Sequence, residues 1–359
     1  MSPASRCAST AVSPPREPVN PTVDPSAAPD HLDGERFSPL EGSPLVLIDL
    51  AEAGAEARAA RLAASRAAVI GVDRLGSAPA LDVGPFDGLL STAADPPPPY
   101  TGVRMEALTG RLARIDATAR TAPIATALLA RLLRSQADTT PAEALMMESL
   151  AYSTLLGGGE FATWLNARSA SPPAATPDQP LAMQRDAQSW TIRLSSPGTR
   201  NAMTAVMRDA LFDALAMVLD DPTEPNLRLE AEGACFSIGG DLAEFGSATD
   251  LARAHVIRTS HSCAELLMKL GDRATVRLHG ACIGSGLEIP VAAGHRSARA
   301  NAFFQLPELT MGLIPGAGGT VTLGRAIGRH RTFIMAITAQ RVRAREALAL
   351  GLIDRIEDD

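Results

Sequence analysis

The chain has 359 residues, 46% of them apolar and 20% charged, with a formal net charge of −7 at neutral pH. That length and apolar fraction suit two domains, or one large domain with an extension, and the acidic balance excludes a general basic surface for nucleic acid or anionic membrane. Cys7, Cys235, Cys263 and Cys282 show no CxxC spacing, so neither a disulfide framework nor a zinc site is expected, and reduced thiols in the cytoplasm fit the pattern.

Residues 1–42 are rich in Pro, Ser and Ala, open on MSPASRCASTAVSPPREPVNP without the apolar core of a secretory leader, and are expected to form a disordered arm. No run approaches the length of a bilayer span, and a soluble, cytoplasmic protein is expected. From residue 43 the pattern changes. LVLIDL (Leu45 to Leu50) reads as a strand, an Ala/Arg-rich helix follows, and AAVIGVD (Ala67 to Asp73) reads as a second strand, together one βαβ unit. Prolines 96–99 break regular structure between Thr92 and Gly102. Arg104 to Ser135 and Pro141 to Ala167 carry helical apolar spacing, the second opening on Thr140, Pro141 and Glu143, and the pair is expected to form a helical hairpin. Residues 43–168 therefore read as an α/β and helical N-terminal region. The polar, proline-rich SASPPAATPDQP (Ser169 to Pro180) marks a linker over 169–185, ahead of a second domain at 186–359.

After the linker, short strand-like runs alternate with helices: WTIRL (Trp190 to Leu194), a helix from Ala202 to Leu219, LRLEAE (Leu227 to Glu232), a helix from Leu251 to Lys269, ATVRLHG (Ala274 to Gly280), and finally a helical EALALG before a LIDRI strand. Such alternation argues for an α/β domain. Two stretches stand out. ACFSIGGDLAEF (Ala234 to Phe245) and ACIGSGLEIPVAAG (Ala281 to Gly294) each run from a strand through a turn of small residues into a helix. Such turns leave backbone N–H groups free at a helix N-terminus, where negative charge is favoured. Two of these donors on one oxygen would make an oxyanion hole; taken singly, each turn reads more often as packing. Two acids lie in apolar sequence, Glu288 in the second turn and Glu308 in FFQLPELTMGLIPGAGGT. Burial would raise their pKa values toward those useful for proton transfer, although the first turn of a helix suits Glu288 on dipole grounds alone. His255, His261 and His279 read as structural or surface residues, and Ser237 lacks the nucleophile elbow of a hydrolase.

RNAMTAVM, CFSIGGDLAEF, HGACIGSGLEI, FFQLPELTMGLIPGAGGT and REALALGLIDRI, in that order over residues 186–359, resemble successive motifs of the crotonase, or enoyl-CoA hydratase/isomerase, family. The resemblance implies an α/β fold, a crotonase-like spiral of ββα repeats, preceded here by a mixed, largely helical N-terminal region. It implies an acyl-CoA thioester substrate whose carbonyl oxygen is held by the N–H groups of Gly240 and Ser285, the latter at a position where the family more often has Gly. Glu288 and Glu308 match the two family acids that activate water, so the implied enzyme is an enoyl-CoA hydratase, a carbon–oxygen lyase of fatty acid metabolism. It would need no cofactor beyond the coenzyme A that is part of the substrate. Arg200 and Ala202 match a loop lying against the nucleotide end of coenzyme A, and Ile238, Asp241, Gly284, Pro307 and Gly316 are the further positions expected to contact substrate. Arg329, His330 and Arg331 are a weaker candidate for the phosphates. A homo-oligomer, trimer or hexamer, is implied. Two departures are visible: about 180 residues precede the family region, and the sequence stops where relatives continue into helices that cover the site, a role the expected helical hairpin is placed to take. The alternatives are an isomerase, a cofactor-independent aryl-acetyl-CoA dioxygenase, and an acyl-CoA-binding module without turnover.

Overall fold

The structure is a computed structural model and describes residues 36–40, 42–169 and 177–357. Residues 1–35 and 41 of the expected arm, and 170–176 of the expected linker, lie outside the described residues. The chain first forms β1 (Leu45–Asp49), α1 (Ala55–Ala63) and β2 (Ala68–Asp73), and then β3 (Gly88–Ser91) and β4 (Thr101–Gly102) extend a parallel sheet in the order β1-β2-β3-β4. Every residue of β2 is buried, which is why AVIGVD is a continuous apolar run with no alternation. β3 is absent from the sequence reading because GLLS is only four residues long and follows a turn-rich stretch.

The expected hairpin is four helices: α2 (Met105–Thr121), α3 (Pro123–Ser135), α4 (Pro141–Leu156) and α5 (Gly159–Asn166). Pro123 occupies the first turn of α3, where its missing N–H costs nothing, but it cannot continue α2, and Ala122 leaves helical geometry at φ −130°. Gly157 and Gly158 divide the second pair. α4 begins as the sequence indicates. Thr140 Oγ1 accepts the Glu143 N–H and the Glu143 carboxylate accepts the Thr140 N–H, with Pro141 next in the chain.

The second half runs β5 (Leu181–Arg185), β6 (Ser189–Leu194), α6 (Ala205–Asp220), β7 (Asn226–Ala231), α7 (Leu251–Ser260), α8 (Cys263–Leu270), β8 (Ala274–Leu278), β9 (Ala281–Ile283), α9 (Ser285–Glu288), β10 (His295–Arg299), β11 (Phe303–Gln305), α10 (Gly319–Ile327), α11 (Arg329–Thr338), β12 (Val342–Arg343), α12 (Ala344–Leu350) and β13 (Arg355–Glu357). A six-stranded sheet has the order β13-β10-β8-β7-β6-β5, and a three-stranded one β12-β11-β9. Successive repeats give a longer strand to the first sheet, a short one to the second, and then a helix: β8, β9 and α9, then β10, β11 and α10. This is the crotonase-type ββα spiral. β5 falls inside the stretch read as linker, where its residues pair antiparallel with β6. The single helix expected over Leu251 to Lys269 is broken at His261, because Ser262 Oγ accepts the Glu265 N–H and starts α8 afresh.

The two halves share one core: Leu129, Leu132, Leu155 and Phe161 belong to the same buried cluster as Phe304, Leu309, Phe333 and Ile334. Gly88 lets β3 lie against α11, since a Cβ there would sit 2.6 Å from Ile334 Cδ1. The basic run at the start of α11 serves this contact rather than a phosphate. Arg329 donates to the carbonyls of Phe86 and Gly84, Arg331 to that of Tyr100, and His330 faces that of Val83. Burial, with the Arg329 charge beside it, pushes His330 down to about 4, so its ring is neutral there.

Candidate active site

The chain beyond β7 pairs with β9 through Ser237: the Ser237 N–H donates to the Ala281 carbonyl and the Ile283 N–H to the Ser237 carbonyl, both at 3.1 Å. This register lays the two small-residue turns side by side. A Cβ on Gly239 would stand 2.6 Å from the Ile283 oxygen and 3.6 Å from Gly284 Cα, and one on Gly286 2.6 Å from Ser237 Cβ. Gly239 (φ 86°) and Gly284 (φ 51°) take the left-handed backbone that makes each turn. The residues that follow them, Gly240 and Ser285, line one cavity, and neither N–H donates to a backbone acceptor among the described residues. Ser285 is not among the positive-φ residues. A side chain is tolerated at this position because Gly284 carries the unusual torsion one residue earlier.

Glu288 closes α9, which is a single turn of four residues and not the longer helix expected, because the chain passes directly into a 3₁₀ turn at Pro290–Ala292. Its side chain is 2% exposed, and Oε2 accepts the N–H groups of Ala317 at 2.7 Å and Gly319 at 3.0 Å. Glu308 opens the 3₁₀ turn Glu308–Met311, is 7% exposed, and has a buried Oε2 with no hydrogen-bond partner among the described residues. The acids flank the same turn: a Cβ on Gly284 would lie 2.7 Å from Glu308 Oε1 and 4.0 Å from Glu288 Oε1. Burial raises both carboxyls, Glu288 well above the usual range with the charges of Glu308 and Glu148 adding to it, and Glu308 to about 8.

The cavity around them has a volume of about 690 Å³. Ile238, Asp241, Gly284, Pro307 and Gly316 line it together with Gly240, Ser285, Glu288 and Glu308. Arg200 and Ala202 do not. Arg200 sits in a left-handed turn (φ 56°) with its carbonyl accepting the Ile238 N–H, Ala202 is buried, and the neighbouring Met203, Thr204 and Ala205 reach the cavity instead.

The sequence profile of the enoyl-CoA hydratase/isomerase family matches residues 185–358. The chain is 30% identical over 172 residues to the enoyl-CoA isomerase/hydratase fer4 of Mycosarcoma maydis, covering 45% of this chain and 63% of that one. It is 31% identical over 165 residues to the human peroxisomal bifunctional enzyme, covering 46% and 22%. It thus spans less than two thirds of either relative. Among solved structures, the enoyl-CoA hydratase of Thermoplasma volcanium aligns with 50% of this chain and 72% of its own at 30% identity and a TM-score of 0.46. A putative enoyl-CoA hydratase of Rhodopseudomonas palustris aligns over 52% and 72% at 32% identity, with the same TM-score of 0.46.

Residues 185–358 belong to the enoyl-CoA hydratase/isomerase family.

In this family member, part of the cavity wall comes from outside the matched segment. Leu145, Glu148, Ser149 and Tyr152 of α4, with Phe161 and Leu165 of α5, line it beside the family residues. Glu148 is 2% exposed and accepts the N–H groups of Gly318 and Thr320 and the Thr320 hydroxyl. The Tyr152 ring packs against Gly316, where a Cβ would overlap it, and Arg258 of α7 lies 4.6 Å over that ring while donating to Ser149 and Ser153. Sequence reading misses Glu148, though LMMESL carries the same signal as the Glu288 stretch, one acid among apolar residues. The histidines stay structural: His255 meets Ser149 Oγ, His279 the Gly233 carbonyl, and His261 the Phe212 ring. Among the described residues no helix is long and apolar enough to cross a membrane.

Proposed function

We propose that the protein is an enoyl-CoA hydratase that adds water across the 2,3-double bond of an enoyl-CoA thioester. The observation that carries this reading is the pair of buried carboxylates, Glu288 and Glu308, whose Oε1 atoms flank the turn that presents the Ser285 N–H. As the water oxygen bonds to C3, one ionised carboxylate takes its proton. The thioester becomes an enolate, whose oxygen is held by the N–H groups of Gly240 and Ser285, and the other carboxyl, in its acid form, delivers a proton to C2 as the enolate collapses. Water is consumed whole, one carboxyl ends protonated where the other began so, and no electron leaves the substrate. The chemistry therefore asks for no metal, flavin or nicotinamide.

Coenzyme A is assigned to the end of the cavity lined by Met203 to Ala205, beside the Arg200–Ala202 turn. The buried free thiols of Cys235, Cys263 and Cys282 suit a reducing cytoplasm. Exposed Met183, Val206 and Met217 offer apolar surface for a homo-oligomer, trimer or hexamer, which light scattering on the purified protein tests. The reaction itself is tested with crotonyl-CoA by following loss of the conjugated-thioester absorbance. Wild type is expected to turn over, and Glu288→Gln and Glu308→Gln to fall by about 10²- to 10⁴-fold in kcat. Turnover only of a 3-enoyl-CoA would replace the reading with isomerisation, and oxygen uptake with an aryl-acetyl-CoA would replace it with the oxygenase. Tight binding of acyl-CoA with no turnover would leave a binding module.

A further inference from the structure

We propose that Glu148, from a helix outside the family segment, is a positioning residue that holds the loop Ala317–Thr320 in register so that Glu288 keeps its place in the cavity. The inference rests on the hydratase reading only for what Glu288 does with that place. Four consecutive N–H groups are divided alternately between two carboxylates: Ala317 and Gly319 donate to Glu288 Oε2 at 2.7 and 3.0 Å, whereas Gly318 donates to Glu148 Oε1 at 2.7 Å and Thr320 to Glu148 Oε2 at 2.8 Å. These are the first N–H groups of α10 and the loop before it, which have no partner within the helix and would be buried unpaired. Gly316, Gly318 and Gly319 have no side chains with which to fix the loop, and Gly318 bends at φ 107°. Its geometry is therefore set by the two acids.

Glu148 is itself held from its own side of the cavity. The Thr320 hydroxyl donates to Oε2 at 2.6 Å and accepts from Gln136 Nε2 at 3.0 Å, and Gln136 also donates to the Ala144 carbonyl. One helical turn beyond Glu148, Tyr152 presses its ring on Gly316. Both Glu148 oxygens face donors only, which favours the ionised form against a burial that raises the carboxyl to about 7, and neither oxygen is left for a substrate. The charged and titratable groups around it are Glu288, Glu308, Tyr152 and Arg258. Burial raises the two cavity acids and the Glu148 charge adds to that rise, which favours a proton remaining on the pair as the acid step requires.

The test uses the full chain with Glu148→Gln, which keeps the shape, removes the charge and turns an NH₂ toward the Thr320 N–H. With crotonyl-CoA, kcat is expected to fall about 10- to 100-fold with KM changed little. The high-pH limb of the kcat/KM profile should move to lower pH by about one unit, since a like charge that raised the acid's pKa is gone. Residue-resolved amide exchange supplies a reading that needs no turnover: Ala317 and Gly319, which Glu148 does not touch, should lose protection together with Gly318 and Thr320. A lower melting temperature with unchanged kcat and pH profile would overturn the proposal, as would retained protection at Ala317 and Gly319. If wild type hydrates no enoyl-CoA, the functional reading fails while the exchange result still decides the positioning. Should Glu148→Gln not fold, Thr320→Val removes the hydroxyl that donates to Glu148 and accepts from Gln136, keeps the Thr320 N–H, and is expected to shift both readouts in the same direction by less; no shift in either would overturn the proposal.

Discussion

α4 and α9 each bury a glutamate against the same glycine loop, one from the N-terminal region and one from the family segment. Glu148 spends both oxygens on donors, whereas Glu288 gives Oε2 to two N–H groups and has no donor to Oε1 among the described residues. Burial and a raised pKa are common to both. On the proposed reading, what separates a holding carboxylate from a reacting one is an oxygen without a donor, and Glu308, whose Oε2 has no hydrogen-bond partner among the described residues, groups with Glu288. On that reading the family segment supplies the reacting groups and the backbone donors, while the N-terminal helices α4 and α5 supply part of the cavity wall.

The sharpest break in this division would be a reversal of magnitudes. Glu288→Gln is expected to cost more in kcat than Glu148→Gln, and the opposite order would show that the roles are misassigned. Next comes the backbone donor. Ser285 stands at the first position of α9, where proline fits a helix, so Ser285→Pro deletes the N–H and places the ring Cδ where that proton pointed. The expected loss is roughly 10²–10³ in kcat, read with crotonyl-CoA; an unchanged rate would remove Ser285 from the oxyanion hole.

Stability gives two smaller tests across the same contact. Gly316→Ala places a methyl group into the Tyr152 ring and is expected to destabilise by about 1–3 kcal/mol in urea unfolding. Tyr152→Ala in the same chain should return part of that loss, because the clash belongs to the pair. Glu308→Gln should be relatively more stable than wild type as pH rises. The folded carboxyl is raised to about 8 by burial against an ordinary 4.5, so the stability linked to its proton is complete below about 4.5 and is lost as pH climbs toward 8. The melting temperatures of the two proteins are therefore expected to differ most in favour of the variant near pH 9. The smallest effect is local to α4: Thr140→Ala removes the capping box at a cost of about 1 kcal/mol, with the pH profile of hydration unchanged.

The strands β1 and β2 are legible in the sequence as short apolar runs and β6, β7 and β8 as runs in which apolar and polar residues alternate, each bounded by turn residues. The two turns and the two acids are legible because left-handed glycines and carboxylates in apolar sequence are local anomalies. The breaks at Ala122 and at Gly157 are local too, but the apolar spacing runs through them, and periodicity outweighs a single proline or a glycine pair in such a reading. The length of α9 was not accessible, since it is set by how Pro290 and the next strand return to the six-stranded sheet. Glu148 escapes for a different reason: the groups it binds lie 170 and 172 residues away, so nothing near it in sequence says what it holds. The same distance hides the use of Arg329 and Arg331 as clamps on the first sheet, 243 and 231 residues from their carbonyl partners.

The central claim is that the Gly240 and Ser285 turns converge on one oxygen beside Glu288 and Glu308. A crystal structure with a saturated acyl-CoA such as butyryl-CoA tests it most directly. The thioester oxygen is expected about 2.7–3.1 Å from both N–H nitrogens, with C2 and C3 lying between the two carboxylates; an oxygen that meets neither nitrogen, or an acyl chain that leaves the cavity away from Glu288 and Glu308, would contradict it.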